Sequence, residues 1–339
     1  MNNCVTRPLT VLSILKFAAK SVPIIFKICV EEQDRAQENE TAFKLFVRRL
    51  LTVSMVYSMT IDNGPSSSFV HTAFQLEKGR QDFRLNKNVE YVLCQSLELR
   101  YFMRGHLQKV FKSIAEENLV FLLSLVRVNV EEADLGLVIL THVHMLDVIH
   151  FLVKLKPPQM TDCLDLIVKL VLKSIETTHA DIRKKCTEYA KRTLKSILTH
   201  FPASAFHVNS QHFIVPNAKY ELVVFDLKMA LECVVLVLHR KPISAIAIHP
   251  AGDHCASFSF EESKAVVWEL KYRGFFNSFF ARSPNQVFCE LNLETALESV
   301  RKDFDPKTLE WSLVFESLTE ITLVEKARGI KKMIKIKQN

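Results

Sequence analysis

Glycine is scarce in this chain, with 7 among 339 residues where an average protein of this length has roughly three times as many. Neighbouring glycines lie at least 15 positions apart. Loops that bind phosphate through backbone N–H groups need closely spaced glycines, because a Cβ atom blocks the approach of the anion. The sequence therefore contains neither a P-loop nor a dinucleotide-binding fingerprint, and we predict no cofactor.

The eight cysteines contain no Cys-x-x-Cys pair, and their spacings fit neither a zinc framework nor a disulfide scaffold. This scatter predicts a reducing, cytoplasmic location. His144, Asp147 and His150 could share a helix, but ligands six positions apart diverge around it, so we predict no metal site. No local pattern activates a nucleophile, and we predict no catalytic residues and no enzyme activity.

Charge and hydropathy exclude two further classes of protein. A net charge of +7 is too sparse over 339 residues for a dedicated nucleic-acid binder. The two most apolar stretches, 10–30 and 137–155, are interrupted by lysines or by histidines and an aspartate. We therefore predict no nucleic-acid partner, no signal peptide and no transmembrane helix.

Apolar residues recur at helical spacing from Pro8 to about His200. The segment 179–199 is amphipathic, whereas the preceding segment, 159–176, is apolar on nearly all sides. This alternation favours antiparallel helical pairs stacked into an α-solenoid of the HEAT or armadillo type over residues 1–202. The predicted helical segments are 9–30, 40–60, 66–78, 88–115, 118–130, 134–155, 159–176 and 179–199.

The helical spacing ends at Phe201-Pro202. Beyond it apolar residues recur at every second position, as in β-strands. The fold class is thus α+β in separate regions, with a β region over 203–339. Seven short strands are predicted at 206–208, 212–215, 221–225, 233–237, 244–248, 255–259 and 265–268. Three more are predicted in the tail, near 308–315, 319–325 and 330–337.

The run from His239 to Leu270 resembles one WD-repeat unit. Its histidine, its strand Pro242–Ile248, its turn Pro250–Asp253 and its ending Trp268-Glu269 follow the order of that motif. A second ending, Phe225-Asp226, lies 43 residues earlier, which matches a blade period of about 40–45 residues. An ordinary β-hairpin with a buried tryptophan remains the alternative.

The WD resemblance implies a buried hydrogen-bond chain that joins the turns to the sheet. Its members here would be His239, one of Ser257 or Ser259, Glu262 and Trp268. Glu262 replaces the usual aspartate and Leu238 the usual glycine, so we expect the chain of hydrogen bonds to be weakened or lost.

The β region holds two to three blades, whereas a propeller needs at least about four. We therefore expect an incomplete WD40-type propeller, completed by another chain or by blades upstream in a longer protein. Trp311 follows Trp268 by 43 residues, but its context is typical of the first strand of a blade.

The order of these elements, helices followed by two terminal WD units, resembles the C-terminal part of the rabconnectin beta subunits. Phe213–Val215, Leu222–Leu227, Lys241–Ala245, Ala256–Ser259 and Trp268 carry the resemblance. It implies a scaffold that works with a DMX-like rabconnectin alpha subunit and with vacuolar ATPase subunits, peripherally on synaptic and endosomal vesicles. The alternative is a coat or tethering adaptor of membrane traffic.

Two groups of basic residues could face anionic lipid or an acidic partner. One group lies on the helix predicted at 179–199 and the other on the last predicted strand. Solvated faces of a helix and an edge strand are the interpretation we favour. The residues are Arg183, Lys184, Lys191, Arg192, Lys331 and Lys332.

Overall fold

The computed structural model describes residues 97–133, 141–176, 180–270, 287–303, 309–317 and 319–336, with Lys44 and Val47, which are helical. The predicted helices at 9–30 and 66–78, and most of 40–60, lie outside these residues. The helices are α1 (Leu97–Ala133), α2 (Thr141–Leu155), α3 (Leu164–Lys173), α4 (Ala180–His200) and α5 (Glu294–Asp303). Among them, none is both long enough and apolar enough to span a membrane.

The chain forms two compact units, 1–160 with 173–193, and 161–172 with 194–339. In the first unit α1 contacts α2, and both bury leucine and valine side chains. Thr193 of α4 lies 3.5 Å from the ring Nδ1 of His150 in α2. The predicted helices are thus present in the described residues, while their stacking into a solenoid stays a prediction.

Helix α1 is two helical segments joined at Asn118, whose backbone is extended (φ −155°, ψ 92°). The Asn118 side chain accepts a hydrogen bond from the N–H of Phe121 at 2.9 Å, so Asn118 is an N-cap for the second segment. The N–H of Leu119 donates to Gln159 Oε1 at 3.2 Å. The predicted helices 88–115 and 118–130 are separated at this point, and the Asn118 cap explains the separation.

The described part of the second unit contains three antiparallel sheets, each of which follows the chain as a meander. Sheet A orders its strands β1-β2-β3-β4, sheet B β5-β6-β7-β8, and sheet C β9-β10-β11. The strands are β1 (Ala205–His207), β2 (His212–Pro216), β3 (Leu222–Asp226), β4 (Leu231–Leu236), β5 (Ala245–Ile248), β6 (His254–Ser259), β7 (Lys264–Glu269), β8 (Val287–Asn292), β9 (Trp311–Ser317), β10 (Glu320–Glu325) and β11 (Ile330–Lys335).

The three sheets stack in chain order. The first strands of successive sheets, β1 with β5 and β5 with β9, are in contact. One face of sheet B shares a core with sheet A, formed around Ile214, Val224 and Trp268. Its other face shares a core with sheet C, around Phe258 and Trp311. Four-stranded meanders joined through their first strands are the arrangement of propeller blades.

The predicted strands from 206 to 268 and in the tail are confirmed, with bounds shifted by three residues or fewer. Trp311 begins β9, the first strand of sheet C, as its context predicts. Strand β8 and helix α5 were not predicted. Leu297 and Val300 of α5 are buried in the core between sheets B and C, and Asn292 caps the helix by accepting the N–H of Glu294 at 2.9 Å.

Candidate functional site

A buried polar cluster joins three segments of sheet B. His239 lies in the link between β4 and β5, Ser257 on β6, and Glu262 in the turn between β6 and β7. His239 is 2% exposed and Ser257 is fully buried, while the side chain of Glu262 keeps 16% of its surface. These three residues were predicted to belong to one WD unit, and in the structure they are in contact.

The hydrogen bonds of this cluster fix the role of each atom. The Nδ1 atom of His239 lies 2.7 Å from Glu262 Oε2, and its Nε2 atom lies 2.9 Å from Ser257 Oγ. The other oxygen of the same carboxylate accepts the backbone N–H of Arg240 at 2.8 Å. A neutral imidazole with its proton on Nδ1 satisfies every contact, because Nδ1–H then donates to Glu262 and the Ser257 hydroxyl donates to Nε2.

Burial lowers the pKa of His239 below its ordinary value of 6.5, since desolvation penalises the charged imidazolium. The hydrogen bond to Glu262 opposes this effect by favouring the charged form, and burial prevails. The ring is therefore neutral at pH 7, in agreement with the donor and acceptor roles above.

The order Ser257–His239–Glu262 has the distances of a serine–histidine–carboxylate triad. A nucleophilic serine must reach a substrate carbonyl, however, and Ser257 has no surface exposed to solvent. We interpret the cluster as a structural lock that ties the β4–β5 link and the β6–β7 turn to strand β6.

Ser259 and Trp268 lie beside this cluster without extending it. Both are fully buried, and neither the Ser259 hydroxyl nor the Trp268 indole N–H has a hydrogen-bond partner among the described residues. Strand alternation puts Ser257, Ser259 and Trp268 on one face of sheet B. The chain of hydrogen bonds, which we expected to be weakened or lost, is thus present from Glu262 to Ser257 and does not reach Trp268, which contributes by packing.

The second WD ending, Phe225-Asp226, closes β3. Phe225 is 1% exposed, and Asp226 Oδ1 accepts the backbone N–H groups of Lys228 at 2.8 Å and Met229 at 2.9 Å. Asp226 therefore stabilises the turn between β3 and β4, which is an ordinary role for aspartate at this position.

His212 and Cys233 lie next to Asp226, and no sequence motif points to either residue. Burial lowers the pKa of His212, while the Asp226 carboxylate opposes the shift. Partial burial raises the pKa of the Cys233 thiol, and the carboxylates of Asp226 and Glu232 raise it further. Both groups are therefore neutral at pH 7 in this structure.

Sheets A and B also meet at a close contact that the sequence did not predict. The ring of His207 on β1 lies with Nε2 3.0 Å from the carbonyl oxygen of Pro250 and Nδ1 2.8 Å from Ser210 Oγ. Gly252, in the predicted turn, has φ +80°, and a Cβ there would meet the His207 ring. Glycine is needed at this position for both reasons.

The basic residues lie on two separate elements. On α4, Arg183, Lys184 and Lys191 are exposed, and the Arg192 guanidinium lies 5.5 Å from the Tyr189 ring centroid. Glu188 interrupts this row and forms an ion pair with Lys185 at 3.5 Å.

On β11, Lys331 is exposed and Lys332 is half-buried. Exposed lysines on a strand at the end of a sheet are typical of protection against pairing with other chains. The interrupted row on α4 fits the interpretation as a solvated face.

No protein-family model matches the chain, and no curated protein matches it. Its structural neighbours are WD40 β-propeller domains. The WD40 domain of SCAP from fission yeast is 14% identical, with 40% of this chain and 33% of that chain covered at a TM-score of 0.24. The β-propeller domain of Cps50 (Swd1) from Myceliophteria thermophila is 14% identical, with 48% and 47% covered at a TM-score of 0.23. The chain thus spans a third to a half of these two structures.

Proposed function

We propose that this chain is a non-enzymatic scaffold that supports assembly of the vacuolar proton ATPase and acidification of vesicles. The single observation that carries a scaffold role is the set of blade-like sheets with exposed terminal strands. The resemblance to the rabconnectin beta subunits over residues 159–270 supports the finer part of the proposal. It suggests a DMX-like alpha subunit and ATPase subunits as partners, on the cytoplasmic face of synaptic and endosomal vesicles.

Strand β4, which ends sheet A, offers an apolar surface. Val235 is 43% exposed, and Val237, two positions on and on the same face, is 73% exposed. Single exposed apolar residues are normal, but two neighbouring ones on one face of a terminal strand are typical of a surface that another protein covers. We therefore place the first partner contact on β4.

Strand β11 offers a different surface, because it ends a three-stranded sheet. Lys331, Met333 and Lys335 alternate as exposed residues along it. Backbone groups on the outer edge of such a strand can hydrogen-bond to an extended segment of a partner. The lysines oppose pairing with a neutral or basic segment and favour an acidic one. This edge is the second partner contact in the proposal.

Affinity capture of the endogenous protein through its C-terminus, followed by mass spectrometry, tests the proposal. We expect recovery of the DMX-like subunit and of ATPase subunits. Coat or tether subunits without the ATPase would instead favour the membrane-traffic adaptor. Capture of the bait with none of these proteins would contradict both functions.

A matched pair of variants tests the surface on β4. Replacing Val235 and Val237 with serine should reduce capture of the partners and slow vesicle acidification in cells that depend on the variant chain. Val314→Ser is the control, because Val314 on β9 is 46% exposed and lies in a different sheet. Equal capture by the β4 variant and the control would refute a contact on β4.

A further inference from the structure

We propose that His212, Asp226 and Cys233 bind a zinc ion at one end of sheet A. His212 is the first residue of β2 and Asp226 the last of β3, and the two are directly paired across the strands. Cys233 comes from β4, the neighbour of β3. One ligand atom from each of the three residues lies within 4.8 Å of the other two.

A β-bulge brings the cysteine to this group. The pairing of β3 with β4 shifts register between Val224 and Phe225, so that Cys233 has no direct partner on β3. A bulge changes the direction of the side chains around it, and bulges occur often beside functional sites. Regular alternation would send Cys233 and Asp226 to opposite faces of the sheet.

The donor atoms favour zinc over harder cations. An imidazole nitrogen, a carboxylate oxygen and a thiolate sulfur are all zinc ligands, whereas calcium and magnesium take oxygen ligands. In a tetrahedral zinc site neighbouring ligand atoms are roughly 3.5 Å apart, given bonds of about 2.0–2.3 Å. The longest of these separations must therefore shorten by at most about 1.3 Å. Cys233 is exposed, so its side chain can change rotamer without displacing a packed core.

The surroundings hold the Asp226 carboxylate in place and engage the neighbouring carboxylate of Glu232 elsewhere. Asp226 Oδ1 already accepts two backbone N–H groups, which fixes the orientation of the carboxylate and would leave its other oxygen to bind a metal. The neighbouring carboxylate of Glu232 forms an ion pair with Lys169 at 2.9 Å and is not a fourth ligand. We expect a three-ligand site that ties the ends of β2, β3 and β4 together. This inference is independent of the proposed function.

Cobalt(II) is the probe for this site, because a cobalt–thiolate bond gives a charge-transfer absorption that free cobalt lacks. The metal is titrated into the full-length chain under reducing conditions after treatment with a chelator. We expect one equivalent to bind to the wild type and to Cys289→Ser, in which a buried cysteine of sheet B is replaced. In Cys233→Ser the thiolate absorption should be lost.

Asp226→Asn keeps the oxygen that accepts the turn hydrogen bonds, so this variant should fold. It should weaken zinc binding, measured by competition with cobalt, by about tenfold or more. Zinc should also raise the Tm of the wild type and leave that of Cys233→Ser unchanged. Absence of a thiolate band in the wild type, or its persistence in Cys233→Ser, would overturn the proposal.

Discussion

Replacing Ser257 with alanine removes a fully buried hydroxyl that donates to His239 Nε2. The imidazole nitrogen is then left without a donor, and an unsatisfied buried polar group costs about 1–3 kcal/mol. Ser259→Ala is the matched control. Its hydroxyl is equally buried, on the same face of β6, and lacks a hydrogen-bond partner in the described part of the chain, so its loss should change stability by less than about 0.5 kcal/mol or increase it.

His239→Ala should cost more, because it leaves both Ser257 and Glu262 without a partner and opens a cavity. Buried aromatic side chains replaced by alanine cost about 3–5 kcal/mol, and we expect a loss at the lower end of this range. In the double variant His239→Ala/Ser257→Ala the second change removes a hydroxyl that has already lost its acceptor. The combined cost should therefore fall short of the sum by about 1–2 kcal/mol.

The chain contains two tryptophans, Trp268 and Trp311, and both are buried in the sheets. Urea unfolding of the full chain, followed by tryptophan fluorescence at pH 8, therefore reports on the sheets of the second unit. The midpoint and the slope of each transition give the free energy of unfolding. Additivity of the two substitutions within about 0.5 kcal/mol, or equal costs for Ser257→Ala and Ser259→Ala, would refute the hydrogen-bonded lock.

The same fluorescence assay checks three further predictions. Gly252→Ala should destabilise the sheets by at least about 2 kcal/mol, because of the positive φ and the contact with the His207 ring. Gly329→Ala is the control, since Gly329 has φ +66° and open space around it, and this change should cost about 1 kcal/mol of stability. Equal losses of stability in the two variants would exclude the contact. Glu262→Asp should lower the free energy of unfolding by about 1 kcal/mol, since the shorter side chain loses one of its two hydrogen bonds. An unchanged urea midpoint would contradict this prediction. Burial lowers the pKa of His239 below 6.5, so the unfolded chain takes up the proton first as the pH decreases. The contribution of His239 to the free energy of unfolding is therefore complete above about pH 6.5 and decreases at lower pH, by at most about 1.4 kcal/mol per pH unit. A pH dependence that persists unchanged in His239→Gln would exclude His239 as its source.

The strands between 205 and 269 were predictable because their buried residues are mainly β-branched or aromatic and are bounded by turn residues. Strand β8 was missed for a physical reason. Its burial pattern leaves Val287 exposed and buries Cys289 alone, so the apolar alternation of a half-buried strand is faint in the sequence. Helix α5 did carry a signal, since Asn292 and Glu294 form a cap ahead of Leu297. Among the positions of α5 whose burial is described, however, only Leu297 and Val300 are buried, which gives a weak helical period.

The candidate site was predictable as a set of residue types and not as a set of contacts. Ser257 and Ser259 differ by two positions on one strand, so they share a face and the sequence cannot choose between them. The choice depends on where the β4–β5 link places His239. The cluster of His212, Asp226 and Cys233 was harder still, because it depends on a bulge in β4, and local composition gives no sign of the register shift.

The glutamate at 262 shows why a departure from a motif need not weaken the network that the motif serves. The sequence suggested that replacing aspartate by glutamate would loosen the hydrogen bonds around His239. In the structure the longer side chain spans both the imidazole Nδ1 and the N–H of Arg240, at 2.7 and 2.8 Å. The carboxylate thus anchors the backbone of the β4–β5 link as well as the ring, and the extra methylene supplies the reach. What the motif requires is a satisfied buried histidine, and a different acid at a different distance meets that requirement.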